Sequence, residues 1–301
     1  MVKHLNLKIL ILPIYFNSNL ITMKKVLLFG SSGMLGKYLS EFLEERGYEV
    51  ERNDRADGGI DITNEEEVKK AIENSNAEYV VNCAAFTDVN RAEDERDIAF
   101  KVNAEAPGYM AKHCKGQNIP FIHISTDYVF GDNLEDGYTE EYDIFNPLNV
   151  YGESKLEGEK RVLGEGGGAY IFRTSWLFGP GATNFIEKIS KYARELPELK
   201  VVTDEIGCPT FVGDLSERIL LAIGGEIEPG IYHACSSNHL SRYEFAQEIL
   251  GLQGIETPIN ECKLEDFERK AQVPNISILN NTKMPEARKS EEMLEEYFNM
   301  G

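Results

Sequence analysis

The chain has 301 residues, with 31 Lys and Arg against 51 Asp and Glu, a formal net charge of −20. That balance argues against a nucleic-acid binder, which needs a basic stripe for phosphates, and the length admits one large domain or a large domain with a smaller lobe. Cys83, Cys114, Cys208, Cys235 and Cys262 form no CxxC and no metal-ligand rhythm, the pattern of a reduced, cytoplasmic protein with buried thiols.

The first 22 residues, MVKHLNLKILILPIYFNSNLIT, hold a short apolar run behind a weakly basic start. Pro13 interrupts it, no small-residue cleavage site follows, and Met23 stands directly before KKVLLFG. The reading is an N-terminal extension or misassigned start, not a secretion signal. No transmembrane span of about 20 apolar residues follows.

From Met23 onward strand and helix patterns alternate. KVLLFG (25–30) is an apolar run suited to a strand buried on both faces, and MLGKYLSEFLEERG (34–47) has helical periodicity ending in glycine. Strands are expected at YEV, EYVVNCA (78–84), IPFIHIST (119–126) and AYIFRTS (169–175), with helices near 64–74, 91–115 and 149–164 between them. This βαβα order predicts an α/β fold with a parallel, doubly wound sheet. Beyond Thr174 the pattern is less regular: helices at 183–194 and 214–223, strands at KVVTD and GIYHA, then SRYEFAQEIL and EEMLEEYF. The domain reading is an extension (1–22), a dinucleotide-binding domain (23–174) with returning segments near 200–223, and a mainly substrate-binding lobe (175–301).

Three features carry chemistry. Gly30, Gly33 and Gly36 lie in GxxGxxG spacing at a strand-to-helix junction, where glycine permits a tight turn and the helix N-terminus offers N–H groups to a pyrophosphate. At the end of the second strand, in VERNDR, Asp54 suits a free ribose 2′-hydroxyl, whereas Arg52 or Arg55 suits a 2′-phosphate. The two readings conflict, so NAD and NADP both stand. Tyr151 and Lys155 in NPLNVYGESKLEGE are one helical turn apart, so an ammonium beside the phenol would draw its pKa down from near 10. Ser125 or Thr126, ending the strand ISTDYVFG, can donate a hydrogen bond to a substrate carbonyl.

The segments GSSGMLG, NCAAFTDVNRAE, VNAEAP, ISTDYVFG, NPLNVYGESKLEGE, RTSWLFG and DEIGCPT together resemble the extended short-chain dehydrogenase/reductases, a Rossmann-type family, and within them the dTDP-4-dehydrorhamnose reductase family. The match runs in order from Met23 to about Thr210 and weakens over the last third. The resemblance implies Thr126, Tyr151 and Lys155 as the catalytic set and Gly30, Gly33, Met34, Leu35 and Gly36 as the pyrophosphate loop. It puts Asp61 and Ile62 beside the adenine, Ala84 and Ala85 over the cofactor, and Asn103 in a structural role. Thr87, Val89, Asp127 and Trp176 fall where the reductases contact a sugar nucleotide. The implied activity is hydride transfer from NADP(H), or NAD(H), to C4 of a nucleotide-linked 4-keto-6-deoxyhexose. A homodimer is compatible with it, with no membrane partner and no metal assigned; Glu44 and Glu45 read as a solvated helix face.

Plainer readings stand beside these. Trp176 is the only tryptophan and suits a core, Asp127 suits a turn cap, and Arg173 suits a buried structural arginine as well as a phosphate contact. Tyr128 stands where the 4,6-dehydratases carry a glutamate, which disfavours dehydration. A 4-epimerase remains compatible, and the non-catalytic regulatory subunits of methionine adenosyltransferase are the alternative outside enzymes. Two departures touch substrate choice: Glu205 replaces the family's glutamine, and Val273-Pro274 stands for Arg-Pro, leaving Arg269, Lys270 or Lys283 to compensate.

Overall fold

The computed structural model describes residues 23–300; the N-terminal extension, residues 1–22, lies outside the described residues. The chain builds a six-stranded parallel sheet from β1 (Lys25–Phe29), β2 (Glu49–Asn53), β3 (Tyr79–Asn82), β4 (Phe121–Thr126), β5 (Ala169–Thr174) and the strand Gly230–His233. The order across the sheet is Gly230–His233, β5, β4, β3, β1, β2. Strand β1 shows why its sequence reads as an unbroken apolar run. Val26 and Leu28 enter the core shared with α1 (Met34–Glu45), while Leu27 and Phe29 enter the opposite core shared with α2 (Glu65–Ser75). All four are fully buried, and each contributes roughly 1.5–3 kcal/mol by that burial.

The helix Val150–Glu165 packs closely against its neighbours at two of its three glycines. A Cβ on Gly152 would lie 2.2 Å from the Tyr128 carbonyl oxygen, and one on Gly158 would lie 2.1 Å from that of Asn103. The stretch expected as one helix over 91–115 is broken. Val89–Ala92 forms one turn, Arg96–Phe100 a second, and Lys101–Glu105 a π-helical segment leading into Ala106–Gln117. Pro107 has no N–H to give the Asn103 carbonyl, so the ladder cannot keep its α register there.

After β5 the chain leaves and rejoins the sheet. Leu199–Val202 pairs with Ile259–Cys262 away from the large sheet, and Ile206–Gly207 pairs with both Leu240–Ser241 and Ile276–Ser277. Helix Val212–Gly224 packs on α1, and Gly230–His233 supplies the outermost strand beside β5. Among the described residues no helix is long and apolar enough to cross a membrane.

Candidate active site

Strand β1 connects to β2 on one side and β3 connects to β4 on the other, so the loops after β1 and β3 bound the crevice where such sheets bind ligands. These loops touch. Gly30 has φ +77°, and a Cβ there would meet the Ala84 nitrogen at 2.5 Å. On Gly36 a Cβ would sit 2.0 Å from the Gly30 carbonyl oxygen, whereas Gly33 faces only that oxygen, at 3.4 Å. Close packing therefore dictates Gly30 and Gly36. Gly33 is the N-cap of α1 and no side chain caps it, so the helix opens with its N–H groups available beside a cavity.

That cavity has a volume of about 690 Å³. Gly30, Gly33, Met34, Leu35, Asp54, Ala84 and Ala85 line one side, and Thr87, Thr126, Asp127, Tyr151, Lys155 and Trp176 line the rest. Gly36, Arg55, Asp61, Ile62 and Val89 lie outside the lining. Gly36 is buried under the loop, and Val89 begins the short turn beyond Thr87. Arg55 reaches away to Asp61 at 3.3 Å; Asp61 also accepts from Thr63, and those bonds hold its carboxyl below the usual range. Ile62 packs against the core on the α2 side. Of the cations considered for a 2′-phosphate, Arg52 is held bidentately by Glu44 at 2.7 Å, and Asp54 is the residue in the cavity.

Tyr151, Lys155 and Thr126 all line this cavity. The Thr126 hydroxyl donates to Asp127 Oδ1 at 2.9 Å and accepts from the Tyr128 N–H at 3.2 Å, and Thr126 opposes part of the upward push on the Tyr151 phenol. Ser175 donates to the other Asp127 oxygen at 2.9 Å. Burial raises the Asp127 carboxyl, and these hydroxyls oppose the rise. The expected lowering of the phenol is not found: burial dominates and pushes Tyr151 up to about 12. Burial also pushes Lys155 down to about 8, and its Nζ bonds the Ile124 carbonyl at 2.5 Å. Asn103 is structural, bridging the Phe86 backbone (2.8 and 3.0 Å) to Ser154 at 3.0 Å. So is Arg173, fully buried and clamped on Glu159 at 2.9 and 2.7 Å.

Trp176 is no ordinary core residue. Its φ is +47°, strained for a bulky side chain, and its buried Nε1 has no hydrogen-bond partner among the described residues. The Arg242 guanidinium stacks on the indole, 3.5 Å from the ring centroid. Arg242 was invisible to the sequence reading, as were the lining residues Asn184, Phe185 and Phe245. Nothing local in SRYEFAQEIL marks that arginine; Glu205, 37 positions away, holds it at 2.9 Å. A second cavity of about 390 Å³ shares Asn184, Phe185 and Arg242 and adds Lys188, Lys200 and Arg269. Of the three cations offered as compensation, Arg269 pairs with Glu205 at 3.1 Å, Lys270 with Asp94, and Lys283 with Glu141.

The family model described as RmlD substrate binding domain matches residues 23–297, nearly the whole chain. The chain belongs to this family. It is 34% identical over 266 residues to a dTDP-4-dehydrorhamnose reductase of Mycolicibacterium smegmatis, covering 88% of this chain and 80% of the relative. With the spore coat polysaccharide biosynthesis protein SpsK of Bacillus subtilis it shares 36% over 279 residues, covering 91% and 97%. Among solved structures, the dTDP-4-dehydrorhamnose reductase of Bacillus anthracis in complex with NADP superposes with a TM-score of 0.88 at 32% identity, covering 93% of this chain and all of that one.

Proposed function

We propose that this member of the family reduces the C4 ketone of a nucleotide-linked 6-deoxy-4-keto sugar, taking dTDP-4-dehydro-L-rhamnose to dTDP-L-rhamnose with NADPH or NADH. The observation that carries the reading is that Thr126, Tyr151 and Lys155 meet in the same cavity onto which the uncapped start of α1 opens. The donor set fits a dinucleotide: Gly33, Met34 and Leu35 for the diphosphate, Asp54 for a ribose hydroxyl, Ala84 and Ala85 against the flat face. The bound cofactor supplies a hydride.

The residues do the rest. A phenol pushed up to about 12 is fully protonated at neutral pH, and the alkoxide formed at C4 is a far stronger base, so Tyr151 can give up its proton despite the upward shift. Thr126 has one hydroxyl proton and spends it on Asp127, so it serves first to orient the phenol. Lys155 stabilises the phenolate left behind once its ammonium turns toward the cavity. On the far side, Trp176 offers a face to the sugar, and Arg242 with Lys188, Lys200 and Arg269 offers positive charge to the substrate diphosphate. The test is direct: purified protein is given the 4-keto sugar nucleotide, generated in situ, with NADPH or NADH. Absorbance at the reduced-nicotinamide band should fall with a stoichiometric rise in reduced sugar; no oxidation of either cofactor sinks the reading.

A further inference from the structure

Lys155 Nζ lies 3.4 Å from His123 Nε2, and the other ring nitrogen, Nδ1, lies 3.2 Å from Asn82 Nδ2. Both His123 and Asn82 are fully buried. The backbone fixes which end of the Asn82 amide faces the ring, because its Oδ1 accepts the Ala84 N–H at 3.0 Å. Turning the amide over would set its NH₂ against that N–H. The NH₂ end therefore faces His123, and since it can only donate, Nδ1 is the acceptor. In a neutral imidazole the one ring proton then sits on Nε2 and points at Lys155. An ammonium has no lone pair with which to receive it; a neutral amine has one.

We propose that Asn82 and His123 form a positioning relay that favours the uncharged amine of Lys155 while the lysine lies against β4. The Ile124 carbonyl accepts one N–H of the amine, and the amine accepts the imidazole N–H in turn. Other groups facing the lysine do not undo this. Cys83, from the end of β3, has its thiol pushed up to about 12 by burial and is uncharged. Glu159, one turn along the same helix, favours the ammonium, but its carboxylate is occupied by Ser125 at 2.5 Å and by Arg173. Tyr151 is a neutral phenol. Burial then acts in the same direction as the relay, which agrees with a lysine pushed down to about 8 and a histidine held well below its ordinary range. For the proposed reductase, the consequence is that kcat/KM for the dinucleotide falls on the alkaline side near that value, because the free enzyme loses its ammonium there.

The lysine can be read without any activity. Protein carrying ¹³C at lysine Cε is titrated by NMR, the Lys155 signal being the one lost in Lys155→Met. Wild type should titrate near 8. His123→Phe, which removes the imidazole N–H, should raise the midpoint by about one unit or more. Asn82→Asp keeps the acceptor for Ala84 yet draws the ring proton to Nδ1, making Nε2 an acceptor for the ammonium; it should also raise the midpoint. A midpoint unmoved in either variant, or a wild-type lysine titrating near the ordinary value of about 10.4, overturns the relay. Either variant decides alone if the other fails to fold. A shifted lysine in a protein that reduces no keto sugar leaves the relay standing and removes only the reductase reading.

Discussion

The cavity wall proposed for the dinucleotide, Gly30–Leu35 with Ala84 and Ala85, is built from backbone and small residues; the wall opposite, Trp176, Asn184, Arg242 and Phe245, is built from large side chains. The Gly30–Leu35 part of the first wall is laid down by one strand, one turn and one helix start, so its shape follows from local sequence, and Ala84 and Ala85 join it from the end of β3. In the second, Arg242 is fixed by Glu205 and by stacking on Trp176, contacts that span 37 and 66 positions. A backbone wall suits a cofactor whose form is constant, and a side-chain wall can be retuned for one sugar nucleotide. Changes to the two should therefore separate in the kinetics.

The largest effect belongs to the group between the walls. Tyr151→Phe keeps the ring and its edge contact with Tyr128 at 6.0 Å but removes the proton. It should lower kcat by about 10²–10⁴-fold while dinucleotide affinity, followed by quenching of Trp176 fluorescence, stays within about threefold. Next is the side-chain wall. Arg242→Ala removes the cation shared by both cavities and should raise KM for the sugar nucleotide by about 10–100-fold, leaving KM for the cofactor near wild type. Lysine there should restore little, since it neither stacks on the indole nor spans Glu205 with a planar fork. In the first wall, Asp54→Ala removes the only carboxylate on that side of the lining among the described residues. The ratio of kcat/KM for NADPH to that for NADH should rise about tenfold; an unchanged ratio excludes Asp54 from ribose recognition.

What was legible in the sequence follows the same division. The strand alternation, the glycine turn and the Tyr151–Lys155 spacing are short-range signals, and each corresponds to a feature of the fold or the cavity lining. The glycine pattern even separates physically: two glycines answer to packing and one to access. Lys155 and Tyr151 line one cavity, as their helical spacing leads one to expect, but Lys155 Nζ is directed to Ile124 and His123, which lie on a strand some 30 residues earlier and leave no local signal. The break in the helix expected over 91–115 turns on Pro107, whose effect on the Asn103 carbonyl four residues back is a matter of register. Arg242 had no local signal. Its partner did: Glu205 was noticed as a departure from the family's pattern, and that departure marks the anchor of the second wall.

Glu205 therefore offers the smallest and most specific test. Glu205 is only 3% exposed; its carboxylate is shared by Arg242 at 2.9 Å and Arg269 at 3.1 Å, while its backbone carbonyl accepts the Arg242 N–H at 3.0 Å. Any anion arriving at the boundary between the cavities competes with it for both guanidinium groups. Glu205→Gln keeps the shape and the backbone anchor but withdraws the negative charge. The cost is in stability, because two cations lose a buried partner, and the thermal midpoint should fall. The gain is in binding: KM for the sugar nucleotide should drop about two- to fivefold, more at low than at high ionic strength, with kcat nearly constant. Should stability fall while KM and its salt dependence stay put, Glu205 braces the arginines without competing with the diphosphate, and the substrate's charge must be met elsewhere on the wall.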